Sequence, residues 1–204
     1  MTEAEEWEND TTPRSLVERL LGYVGLARKR RLLLCACCRH FPTTDLHEWV
    51  EIAERFSDGV ATQDDRQRAN TAARNHPGYR AHQIGSILLN RATLRDASHA
   101  NLSGSVHLLY RTGSMTPVFL CLLIRDIFGN PFRPVAFDPS LHTETAVALA
   151  RGMYESRDFG AMPILADALQ DAGCDSADVL DHCRDAKQVH VRGCWVVDLV
   201  LGKS

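Results

Sequence analysis

The residues best suited to chemistry lie in the C-terminal third, where Cys174, His182, Cys183, His190 and Cys194 fall within 21 residues. Thiolates and imidazoles in that density suggest zinc, which takes four such ligands tetrahedrally. The spacing argues the other way. Zinc sites usually present a tight pair, two Cys or two His a few residues apart, and only His190 and Cys194 stand in such a frame. The adjacent His182 and Cys183 would point about 100° apart on a helix. The expectation is therefore packed thiols and ordinary histidines, with no cofactor and zinc as the minor reading.

Other constellations carry less. Cys35, Cys37 and Cys38, followed by His40, would not chelate one ion from a helix, because Cys37 lies about 200° around from Cys35. Core packing is expected of them. Asp167 and Asp171 share a helix face one turn apart and read as a wet acidic surface. Ser103-Gly104-Ser105 lacks the G-x-S-x-G frame of a nucleophile elbow, and no phosphate-binding glycine loop occurs. No catalytic residue is expected.

Two segments have the composition of binding surfaces. Arg28-Lys29-Arg30-Arg31 is the one dense basic run. It reads first as a solvated face or one paired with the chain's own acids, the Asp-rich stretch 158–185 being a candidate source. A phosphate contact through Arg28, Arg30 and Arg31 is the sharper alternative, though no interleaved aromatics supply base stacking. The second segment runs from Arg125 to Pro134. Its prolines limit the entropy lost on ordering, and Phe132 beside Arg133 pairs two residue types common in binding hot spots. Arg125, Asn130, Phe132 and Arg133 are its candidate contacts, with Phe132 as a core plug as the structural alternative.

These residues must be positioned by helices. Thr12-Pro13 and Thr116-Pro117 are each a cap followed by a proline at the first helical position. Leu16, Val17, Leu20, Leu21 and Val24 recur at helical period, as do Leu46, Trp49, Val50, Ala53 and Phe56. Helices are expected at Ala27 to His40 (stopped by Pro42), from an Asp45/Glu48 capping box to Gly59, at Thr62 to Asn75, at Tyr79 to Ala97, and through Leu109 to Gly113. Val118 to Phe128 is apolar on most faces, which marks a central helix. Pro131, Pro134 and Pro139 exclude helix from 130–139. Shorter helices are expected at Thr143 to Ser156, Pro163 to Ala172, Asp175 to Arg184 and Arg192 to Leu201, with a strand as the alternative for the last. The expected fold is all-α: one irregular bundle of about nine to ten helices over 13–204, with a sub-boundary near 112–116, behind a flexible acidic segment at 1–12.

At 204 residues and 45% apolar, the chain is long enough to bury a full core without staples. Its 23 basic and 26 acidic residues nearly cancel, so no global field drives nucleic-acid binding. The apolar run Val118 to Ile124 is far short of the roughly 20 residues of a spanning helix. The acidic N-terminus has no apolar h-region. A cytoplasmic, membrane-free protein with reduced thiols is expected, and seven cysteines could not all pair within one chain.

RDIFGNPFRPV (125–135), LADALQDAGC (165–174), DHCR (181–184) and HVRGCWVVDLVLGK (190–203) together resemble a recurrent block in a bacterial protein family. KRRLLLCACCR (29–39) and VEIAERFSDG (50–59) are similar to a segment found ahead of it. The resemblance implies an expanded bacterial family and carries no activity, cofactor or catalytic residue with it. The leading functional expectation is a non-enzymatic helical module that binds another protein. Its alternatives are a metal-dependent enzyme or hydrolase built from dispersed Asp, His and Cys, and weak nucleic-acid binding through residues 28–31.

Overall fold

The computed structural model describes residues 1–41, 46–77, 84–93 and 98–203 (for 84–86, the backbone alone). Among the described residues the fold is all-α, with twelve α-helices, one short 3-10 turn and no strand. None of these helices is long and apolar enough to cross a membrane. The Pro42 stop, the Asp45 half of the capping box, the Tyr79 helix start and residues 94–97 lie outside the described residues.

By its contacts the chain groups into two compact units: Asp10–Cys121, and Met1–Asn9 with Leu122–Ser204. The first contains α2 (Pro13–Arg19), α3 (Ala27–Arg39), α4 (His47–Ser57), α5 (Gln63–Asn75), α6 (Ile84–Ala92) and α7 (His99–Arg111). The division falls inside α8 (Pro117–Phe128), later than the expected 112–116. Continuous apolar sequence, Leu32 to Leu34, makes α3 the centre of the first unit, packed against α4, α6 and α7. Because it is surrounded, Cys37 is buried along with Cys35 and Cys38 despite pointing elsewhere on the helix. Burial pushes the Cys37 thiol up to about 12, which leaves it an inert packing group.

The alanine-rich face of α5 turns inward, taking Arg66 and Asn70 with it. Asn70 donates to Thr93 Oγ1 at 3.1 Å and to the Asn90 carbonyl at 3.2 Å. Arg66 donates to the Thr93 carbonyl, and its guanidinium lies 5.6 Å from the Phe56 ring centroid. Small side chains admit a buried polar layer because each of these donors finds an acceptor.

The second unit contains α1 (Glu3–Asn9), the later part of α8, α9 (Glu144–Ser156), α10 (Met162–Asp171), α11 (Ala177–Arg184) and α12 (Trp195–Val200). The proline-rich stretch is non-helical apart from the turn Pro139–Leu141, as its prolines require. Ala146, Ala150, Met153, Leu165, Leu169, Val179, Cys183, Val196 and Val197 form one apolar core between α9, α10, α11 and α12. Residues 195–200 are helix, and Asp198 is buried rather than on a polar face. The acidic N-terminus is likewise ordered. It forms α1, because Trp7 gives an otherwise charged segment one large side chain to bury.

Candidate metal centre

The helix α8 is largely apolar, and Asp126 lies on its buried face with no exposure to solvent. Its partners come from α11 and from the connection to α12. His182 sits in the last turn of α11. The chain then turns back through Val191-Arg192-Gly193-Cys194, closed by the Cys194 N–H to the Val191 carbonyl at 2.9 Å. Gly193 has φ +99°, which explains a glycine in this turn. The turn sets His190 and Cys194 side by side, and Cys194 is also the residue that starts α12.

Asp126 Oδ1, His182 Nε2, His190 Nδ1 and Cys194 Sγ all lie within 4.8 Å of one another. His182 Nε2 is 3.2 Å from Asp126 Oδ1 and 3.3 Å from Cys194 Sγ. His190 Nδ1 is 2.9 Å from the same carboxylate oxygen and 3.8 Å from the same sulfur. With zinc–nitrogen and zinc–oxygen bonds near 2.0–2.1 Å and zinc–sulfur near 2.3 Å, tetrahedral ligand atoms stand about 3.3 Å apart, or about 3.6 Å where one is sulfur. These four of the six tetrahedral edges lie within about 0.4 Å of those values, and all the pairs lie within 4.8 Å. The other carboxylate oxygen, Oδ2, accepts the Val191 N–H at 2.9 Å, which turns Oδ1 alone into the centre and orients it as outer partners orient metal ligands.

The same residue types could instead form a Cys-His-Asp nucleophilic triad. A triad imidazole bridges thiol and carboxylate through opposite ring nitrogens. Here one nitrogen of each histidine faces both groups, so the four side-chain atoms gather around one place and do not form a relay. Burial and the Asp126 charge push the Cys194 thiol well above its ordinary range. Burial alone would also raise the Asp126 carboxyl. Hydrogen bonds from His182 and His190 outweigh it and hold the group below the usual range, as an anion.

Rings enclose the cluster. His182 packs edge-on to His190 at 4.9 Å and against Trp195 at 5.1 Å, and Phe159 lies 6.4 Å from His190. Trp195 in turn crowds Gly129, the residue after α8, which has φ +63°. A Cβ there would come within 3.1 Å of the indole. Gly129→Ala should therefore cost about 1–2 kcal/mol for its left-handed backbone alone, and more for displacing Trp195. Urea denaturation of the two proteins measures it; a loss under about 0.5 kcal/mol, the ordinary surface range, would contradict the close packing.

Of the five Cys and His residues singled out by composition, the structure gathers His182, His190 and Cys194. Cys174 and Cys183 stay outside the ligand group and pack in the core of the same unit. Cys183 is buried, its thiol pushed up to about 12 chiefly by that burial. Sequence spacing missed Asp126. The available signal was a lone aspartate inside the apolar run Val118 to Phe128, since a buried carboxylate demands partners.

The expected binding residues have internal partners. Arg125 donates to the Trp7 carbonyl at 2.6 and 3.2 Å, and Asn130 to the Ala4 carbonyl at 3.2 Å. Arg133 bonds Glu8 and Asp178, while the Phe132 ring lies 6.1 Å from that of Trp7. In the basic run, Arg28 pairs with Asp58 at 3.1 Å, Arg30 donates to the Tyr23 carbonyl, and Arg31 donates to the Ala92 carbonyl beneath Phe56. Asp58 and Glu54, acids of the same unit, pair with Arg28 of this run and with nearby Arg39. Family models, curated proteins and solved structures give no match to the chain.

Proposed function

We propose that the protein is a metal-binding helical module holding one zinc ion on Asp126, His182, His190 and Cys194, and that the ion fastens the fold and performs no reaction. The convergence of four donor atoms within 4.8 Å carries this reading. Four protein ligands complete a tetrahedron, whereas catalytic zinc keeps a position for water or substrate. Charge agrees: one carboxylate and one thiolate neutralise a divalent ion, and two neutral imidazoles add none. Such a centre would tie Asp126 in α8 to residues of α11 and the start of α12 that lie 56 to 68 positions further along the chain.

A fastened, non-catalytic unit leaves the protein's work to its surface, which supports binding of another protein over hydrolysis. The test is metal analysis of the full-length protein purified without chelator, followed by replacement with cobalt(II). About one zinc per chain is expected. The cobalt form should show intense tetrahedral d–d bands with a thiolate-to-cobalt band that disappears in Cys194→Ala. Metal-free protein that takes up neither ion would refute the assignment, and a water-ligated cobalt spectrum would move it to the enzymatic alternative.

A further inference from the structure

The metal centre and the contacts that hold α1 share one short stretch of chain. Asp126 supplies a ligand, and the residue before it, Arg125, captures the Trp7 carbonyl near the C-terminal end of α1. A guanidinium there also meets the negative end of the short helix. Three residues beyond Asp126, Gly129 lies under Trp195, whose ring packs on the ligand His182 and whose backbone follows the ligand Cys194. Asn130, next to Gly129, bonds Ala4 and Glu8 of α1, and Arg133, further along the same loop, bonds Glu8. The ligands and the dock are thus linked by contacts whose geometry leaves little slack.

On this footing, which rests on the zinc reading above, we infer that occupancy of the metal site controls the docking of α1 on the surface formed by Arg125, Asn130, Phe132 and Arg133. An ion drawing His182 and Cys194 toward Asp126 holds Trp195 against Gly129 and fixes the loop that α1 grips. Without it, those ligands are joined only by hydrogen bonds, and the loop gains freedom. Helix α1 is the element able to respond. It is terminal and seven residues long, and it is held mainly by a few side-chain bonds and Trp7. The surface it would vacate fits a short acidic helix bearing a tryptophan, so metal loss would expose a site for that kind of peptide.

Hydrogen exchange on full-length protein tests this, comparing the zinc-loaded form with one stripped by chelator. Amides of Trp7 to Asn9 should exchange about fivefold faster or more in the stripped form, the lower bound of ordinary coupling. Amides of α3, in the other unit, should be unchanged. Equal protection of α1 in both forms overturns the inference. If stripping unfolds the whole chain, reciprocity decides the matter in loaded protein. Trp7→Ala, outside the ligand set, should weaken zinc binding by a similar factor in competition with a chromophoric chelator, and unchanged affinity overturns the coupling. A protein that binds no zinc at all fails at the earlier metal analysis, which refutes the centre itself and this inference with it. Zinc binding with an indifferent α1 refutes the inference alone.

Discussion

The Asp126→Asn substitution is expected to abolish the zinc-dependent gain in stability, a gain of about 4 kcal/mol in the wild-type protein when free zinc is 1,000 times its Kd. The side chains are nearly isosteric, so packing changes little, and the amide oxygen can still accept the Val191 N–H that Oδ2 accepts now. What changes is charge. With Asp126 and Cys194 both anionic, a bound divalent ion is neutralised inside a buried site. With asparagine, one positive charge is left there uncompensated, and buried net charge is strongly unfavourable. Denaturation of both proteins with and without zinc completes a double-mutant cycle. The metal-free comparison absorbs the hydrogen bonds from His182 and His190 that the substitution weakens, about 1–3 kcal/mol. The difference between the two zinc effects isolates the ligand. A wild-type protein that gains nothing from zinc, yet is destabilised by the substitution, would show a hydrogen-bonded Asp-His cluster instead of a metal centre.

Helical periodicity made most of the fold legible. Apolar stripes, Thr-Pro starts and glycine stops placed α3, α8, α9 and α10 close to their observed bounds, because helix ends are local chemistry. The stripe drawn through Leu21 and Val24 overran α2, which ends at Arg19 and leaves both side chains exposed. The division within α8 was not legible: a continuous apolar helix gives no local signal of which residues cluster with which unit. Helix α1 was hidden by five acids around one tryptophan, since what makes the segment helical is burial of Trp7 in tertiary structure and not its own periodicity. The centre was half legible. Composition pointed to His182, His190 and Cys194, but the counting of local spacings could not find Asp126, 56 positions upstream of the first of them. A cluster in which only His190 and Cys194 are neighbours in sequence leaves no motif. The lone carboxylate in an apolar helix is the mark that remains, and Asp126 carried it.

The basic face of the first unit yields the other large effect. Glu54→Ala is expected to cost about 3–5 kcal/mol, the range for removing one member of a buried ion pair. Glu54 is buried in α4, and both its carboxylate oxygens accept from Arg39, at 2.6 and 3.0 Å. Arg39 is about a quarter exposed, at 24% of its side chain, so water partly relieves the stranded cation and the lower end of the range is expected. Arg39→Met combined with Glu54→Leu should recover most of the loss, because taking out both charges leaves neither one buried alone. Urea denaturation of the two single variants and the double variant gives the coupling energy directly. The outcome bears on function as well as stability. A large coupling means that this guanidinium is committed to the fold, like Arg28 on Asp58 and Arg31 on the Ala92 carbonyl, and has little to offer an external phosphate. A cost below about 1 kcal/mol, typical of an exposed pair, would mean that the basic face is lightly held. Heparin retention at low salt that falls on charge reversal of Arg28 and Arg30 would then revive nucleic-acid binding as a role for this unit.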